Sequence, residues 1–161
     1  MPRASVITLS DKGAEGLRED ESGPAVAAML GEAGFEVGQV DILPDEIEDI
    51  KAALIDKCGR VDLIVTTGGT GLSPRDVTPE ATLAVIERRI PGIPEAMRAE
   101  GMKITPRAML SRAEAGMREG TIIINLPGSL KAARESLKAV LPTLAHAIEK
   151  ARGDLSDCAR E

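Results

Sequence analysis

Short, nearly continuous apolar runs alternate along this chain with stretches in which apolar side chains recur every three or four positions. The first run, VITL at 6–9, is β-branched and bounded by Ser10-Asp11-Lys12-Gly13, which predicts a strand. A polar, glycine-rich segment follows to Gly23 and predicts a loop. Ser22-Gly23-Pro24 then opens a helix: Ala25, Val26, Met29, Leu30 and Ala33 lie at helical spacing, and Gly34 ends it. Residues 37–43 predict extended chain. Asp45 with Glu48 matches the spacing of an aspartate capping box, ahead of a helix burying Ile47, Ile50 and Leu54.

The run at 61–65 has the continuous apolar character of a strand covered on both faces. After it, Thr78-Pro79-Glu80 predicts a helix start, with Thr78 as cap and Leu83, Ile86 and Ile90 turned inward. Residues 91–120 suggest two short helices, around 95–100 and 106–115. TIIINL at 121–126 predicts another buried strand. A final helix carries Leu137, Val140, Leu141, Leu144 and Ile148 on one face, with Pro142 expected to kink or restart it. Strands alternating with helices imply an α/β fold, a three-layer α/β/α single domain with a mostly parallel sheet. One domain is expected over residues 1–161, fraying from about residue 153.

Composition narrows the function. The chain has 161 residues, 43% of them hydrophobic, within the globular range. It has no Trp or Tyr and a single Phe, which removes the aromatic platforms used to stack single-stranded nucleic acid. A net charge of −6 argues further against a nucleic-acid partner. No run is long enough for a membrane span, and the N-terminus lacks a secretory pattern. Cys58 and Cys158 stand far apart and read as free thiols of a reducing cytoplasm, and the one histidine, His146, speaks against a histidine-rich zinc site.

In an open α/β sheet, ligands collect beyond the carboxyl ends of the strands. Four segments leave such ends: residues 10–13, 44–45, 67–76 and 125–129. Thr67-Gly68-Gly69-Thr70-Gly71 lacks the lysine of a P-loop and the third glycine of the dinucleotide fingerprint. By composition it is either a tight strand-to-helix connection or a set of backbone amides able to approach an anion. Asp45 is either a helix cap or a functional acid, and Asp76 either favours a helix dipole or takes part in chemistry. Arg75 either clamps a phosphate or pairs with a surface acid. Asn125-Leu126-Pro127-Gly128-Ser129 is either a capped turn or a second set of donors. Two carboxylates beside a polyphosphate repel it unless a divalent cation lies between them, as Mg²⁺ does in many phosphate sites.

Several segments together resemble the MogA/MoaB family, the molybdopterin adenylyltransferases of molybdenum cofactor synthesis. They are TTGGTG at 66–71, PRDVTPEAT at 74–82, Leu110-Ser111-Arg112 and Ile124-Asn125-Leu126-Pro127-Gly128. Ser10-Asp11, Ser22-Gly23-Pro24 and Pro44-Asp45 fit the same pattern, so the resemblance runs from about residue 3 to 154. It implies a homo-oligomer, usually a trimer and sometimes a hexamer, that joins ATP and molybdopterin with Mg²⁺ and releases pyrophosphate. By position it implies Asp45 and Asp76 as the functional acids and Mg²⁺ ligands. Thr67, Gly68, Gly69, Thr70, Gly71, Ser73 and Arg75 would hold phosphates and nucleotide. Ser10, Asp11, Ser22, Gly23, Ser111, Asn125, Pro127, Gly128 and Ser129 would line the pterin side. A handover to a molybdate-insertion protein is implied too. Where members often place proline after Pro-Gly-Ser, this chain has Leu130, which loosens the expectation for pterin contacts. A MoaB-type binder without adenylyl transfer, storing or delivering cofactor precursor, is the alternative; keeping both acids favours the transferase.

Overall fold

The computed structural model describes residues 1–155, and the expectations for Cys158 and the end of the tail lie outside them. Strand β1 (Arg3–Leu9) leads into a short helix α1 (Asp11–Ala14), capped by the Ser10 hydroxyl accepting from the Gly13 amide. The loop expected before Gly23 thus begins with one helical turn. Helix α2 (Ser22–Glu32) starts where Ser22-Gly23-Pro24 predicts and ends before Gly34, whose φ of 95° is open to glycine at no steric cost.

The extended segment at 37–43 divides into β2 (Glu36–Val37) and β3 (Asp41–Leu43), which pair with the beginning and the end of β1. Helix α3 (Ile47–Lys57) follows, then β4 (Leu63–Thr67), α4 (Thr78–Val85) and a two-residue β5 (Arg88–Arg89). Helix α5 (Gly92–Met102) and a 3-10 helix (Pro106–Leu110) precede strands β6 (Ala115–Arg118) and β7 (Thr121–Leu126), and α6 (Leu130–Ala151) completes the order. The short helix expected around 106–115 is a 3-10 helix that ends at Leu110, and β6 begins at Ala115. Helix α6 runs through Pro142 without restarting.

The sheet has seven strands, with β2 and β3 sharing one edge and the order continuing β1-β4-β7-β6-β5. The pairs among β1, β2, β3, β4 and β7 are parallel; β6 and β5 add antiparallel. Alternation along the strands sorts the core into two layers. Val6, Val65 and Ile124 face α2, α5 and α6, where Val26, Leu30, Met97, Leu137 and Leu144 are buried. Ile7, Ile64 and Ile123 face α3 and α4, against Ile50, Leu54, Ala81 and Val85. This is the expected three-layer arrangement. Two inward assignments fail: Leu83 and Ile47 are exposed, and in α4 it is Ala81, Thr82 and Val85 that are covered.

The chain moves from β1 to β2 and β3 on one side, then returns to place β4 on the other. That reversal in strand order opens a crevice between β1 and β4, at the carboxyl ends of both.

Candidate functional site

The parallel strands bring the predicted loops to one edge of the sheet. A cavity of about 520 Å³ lies there. Ser10, Ser22, Asp45, Thr67, Gly68, Gly69, Asp76, Gly128 and Ser129 line it. Thr70, Gly71, Ser111 and Pro127 instead line a neighbouring, more apolar cavity of about 350 Å³, on whose wall Ser129 also stands. The two sets separated by sequence are therefore divided differently in space. Ser10 and Ser22 share their cavity with both acids, whereas Ser111 and Pro127 do not.

The glycine loop follows from close approaches. Gly68 has φ 96° and Gly69 φ 70°, and a β-carbon on either would overlap the Leu9 carbonyl oxygen or the Thr78 hydroxyl. At Gly128 a β-carbon would stand 3.2 Å from the Gly68 Cα, so the second turn is bare for the same reason. The Gly68 amide donates to the Leu126 carbonyl at 3.0 Å and is spent within the fold. Among the described residues, the amides of Gly69, Thr70 and Gly71 have no acceptor, and they are the donors left for an anion. Thr78 is not a cap: it is the first helical residue, and its hydroxyl donates to the Gly68 carbonyl.

Arg112 fixes the loop from outside. Its Nε donates to the Gly71 carbonyl and its Nη2 to the Asp76 carbonyl, both at 2.7 Å, while Nη1 pairs with Glu80. It belongs to the Leu-Ser-Arg motif, but only the fold shows what its guanidinium reaches.

Asp45 does not cap α3. Glu46 is the N-cap, and Asp45 instead exchanges hydrogen bonds with Asp11: each backbone amide donates to the other's carboxylate at 3.0 Å. The capping-box spacing is thus coincidental. The exchange leaves Asp45 Oδ1 buried without a partner, 3.3 Å from where a Gly69 β-carbon would sit. Burial, together with the nearby charges of Asp11 and Asp76, raises the Asp45 pKa despite the bond from the Asp11 amide. Asp76 accepts from the Ser73 amide at 3.0 Å, and its Oδ2 lies 2.9 Å from a β-carbon built on Gly71.

Five expected ligand contacts have other employment. Arg75 forms a two-bond pair with Asp11 and a third bond with Glu46, each 2.9–3.0 Å, so its guanidinium is neutralised outside the cavity. Asp11 is correspondingly held below the usual carboxylate range by Arg75 and the Asp45 amide. Asn125 is fully buried; its amide donates to Thr66 and Thr82 and its oxygen accepts from the Glu114 amide, so it joins β7 to β4, α4 and the residue before β6. Gly23 gives close packing under Asp20 and Thr8. Ser73 is exposed, serving Asp76 through its amide.

Sequence reasoning missed Thr8 and Asp20, which line the first cavity. Asp20 accepts from the Gly23 amide at 3.0 Å and the Thr8 hydroxyl at 2.7 Å. An aspartate three residues before a helical amide is a capping signal that could have found it; Thr8, inside a strand, carries none.

The donor set suits Mg²⁺. A buried, unpartnered carboxylate oxygen beside a second carboxylate is costly unless a cation completes it. Among the described residues no group of three or more acidic, His or Cys side chains could hold a metal alone. A carboxylate pair supplemented by ligand phosphates is the usual Mg²⁺ arrangement.

Comparison with known proteins identifies the family. The family described as "Probable molybdopterin binding domain" matches residues 5–146. A protein named molybdopterin adenylyltransferase from Helicobacter pylori is 41% identical over 153 residues, covering 92% of this chain and 87% of that protein. Gephyrin of Dictyostelium discoideum is 47% identical over 154 residues, which are 89% of this chain but 21% of that longer protein. The structure of the molybdopterin biosynthesis enzyme MoaB from Thermus thermophilus superposes with a TM-score of 0.90 at 49% identity, covering 96% of this chain and 98% of the other. The chain belongs to the MogA/MoaB family of molybdopterin-binding domains.

Proposed function

We propose that this protein transfers the adenylyl group of ATP to molybdopterin, in molybdenum cofactor biosynthesis. The observation that carries the reading is the buried, unpartnered Asp45 oxygen, placed with Asp76 and the acceptor-free amide of Gly69 in one cavity. Related proteins named molybdopterin adenylyltransferase support it.

In this reaction a phosphate oxygen of the pterin attacks the α-phosphorus of ATP. The bond to the β-phosphate bridging oxygen breaks, and pyrophosphate leaves with that electron pair. One anion attacks another, so alignment and charge compensation matter more than a strong base. The amides of Gly69, Thr70 and Gly71 hold phosphate oxygens, and Arg112 keeps the loop carrying them in place. Bound Mg²⁺ supplies positive charge to the reacting phosphates. Asp45 and Asp76 would hold it, Asp45 through the oxygen its exchange with Asp11 leaves open. The reading extends to a homo-oligomer, a trimer or hexamer, working in the cytoplasm and passing its product to a molybdate-insertion protein. No helix among the described residues is long and apolar enough to cross a membrane.

Purified protein with Mg-ATP and molybdopterin should yield pyrophosphate and adenylylated pterin by mass spectrometry. Asp76→Asn should abolish turnover while leaving stability within about 0.5 kcal/mol. Pterin binding without product would mark the chain as a carrier, and unchanged turnover in Asp76→Asn would remove Asp76 from the chemistry.

A further inference from the structure

Proton counting divides the walls of the larger cavity into two kinds. An ionised carboxylate only accepts, so the bond between Thr8 and Asp20 Oδ2, 2.7 Å long, spends the single hydroxyl proton of Thr8. Thr67 Oγ1 lies 3.2 Å from Thr8 Oγ1 and must therefore donate to it. Its own oxygen then has lone pairs alone to offer. Ser22 is in the same position, because its hydroxyl donates to the Gly128 carbonyl at 2.7 Å. Thr8, Thr67 and Ser22 are all buried, which holds these directions against exchange with solvent. The side chains of Asp20, Ser22 and Thr67 consequently present acceptors and no protons to the cavity, which Arg18 also lines.

The opposite character appears elsewhere around the same space. Ser10 Oγ accepts from the Gly13 amide and Ser129 Oγ from the Ala132 amide, so both hydroxyl protons remain to be given. With the free amide of Gly69 they make a set of donors.

We propose that Asp20, with Ser22 and Thr67, is a specificity-determining subsite for a ligand edge bearing two adjacent hydrogen-bond donors, and that it leaves phosphate groups to the Ser10, Ser129 and Gly69 donors. A phosphate against these three side chains would meet a carboxylate and lone pairs with no proton between them. A donor pair meets the reverse. Under the adenylyl-transfer reading, on which the choice of ligands rests, two groups have that chemistry: the vicinal hydroxyls of the ATP ribose and the amino-lactam edge of the pterin ring. Asp20→Asn would change more than charge. The new amide donates toward Thr8, the hydroxyl chain reverses, and Thr67 turns its proton to the cavity.

The test is calorimetric binding to the intact protein, comparing ATP with 2′,3′-dideoxy-ATP and a simple 6-substituted pterin with its N3-methyl derivative. In the wild type, one pair should differ about tenfold or more, the scale of a hydrogen bond to a charged group. In Asp20→Asn that difference should vanish, and in Thr67→Val, which keeps the carboxylate, it should shrink. Preference within the nucleotide pair assigns the subsite to the ribose; preference within the pterin pair assigns it to the ring. Equal affinities within both pairs in the wild type, or a difference that survives Asp20→Asn, would overturn the subsite while leaving the reaction standing. Failure of the wild type to bind either parent compound would overturn both.

Discussion

At Asp45 the fold keeps a carboxylate oxygen covered and unbonded, at a cost in stability. The folded-state pKa is raised, so ionised Asp45 weakens the fold above that pKa, and the penalty fades as pH falls through it and the group protonates in both states. Asp45→Asn should therefore stabilise the metal-free protein at neutral pH by about 1 kcal/mol or less, roughly 2–4 °C in Tm. The gain should disappear below the ordinary carboxylate range, as thermal melts in a chelator will show. The same variant should raise the Mg²⁺ needed for turnover; an unaltered Mg²⁺ titration would make Asp45 structural. The family motif puts both acids forward, but spacing misreads the surroundings of Asp45. Spacing to Glu48 suggested a cap, while the actual partner, Asp11, is remote in sequence and adjacent only because β1 and β3 pair. The acidic partners of Arg75, Asp11 and Glu46, are likewise remote in sequence.

Elements with strong local signals were legible. Three buried strands and the long C-terminal helix are apolar at the right period, and Ser129 caps that helix through the Ala132 amide. Strand β6, with Gly116 in its middle, lacks such a signal. A β-carbon at Gly116 would stand 2.6 Å from the Arg88 carbonyl oxygen, so the residue is set by its neighbour strand, not by strand propensity. Glycines in this chain thus have opposite meanings by element. Gly31 lies in α2 with open space around it, and Gly31→Ala should stabilise by about 0.5–1 kcal/mol. Gly68→Ala combines a positive φ with overlap on the Leu9 carbonyl and should cost about 2 kcal/mol or more. Urea unfolding of the two variants, followed by circular dichroism since the chain has no Trp or Tyr, checks both signs.

For the whole molecule, the pattern of strands and helices foretold the layers, and hence that ligands would gather at one edge. It could not foretell that two cavities share the glycine loop and the turn at Ser129, because those walls are assembled from distant segments. Nor does a surface contact with a second copy leave a periodic trace. Ile104, Met109 and Leu110 are each at least half exposed around the 3-10 helix, and they are candidates for cover by another protomer. If the proposed homo-oligomer uses this face, Met109→Glu should lower the solution mass measured by light scattering toward that of one chain. An unchanged mass would place the contact elsewhere.

The sheet is bordered on one side by strands of two and three residues and on the other by Arg88–Arg89 alone. Such abbreviated, partly charged margins give a stray chain almost no ladder to extend. Its most water-averse strands, β4 and β7, are thereby shielded within the native molecule from the stacking that seeds fibrils.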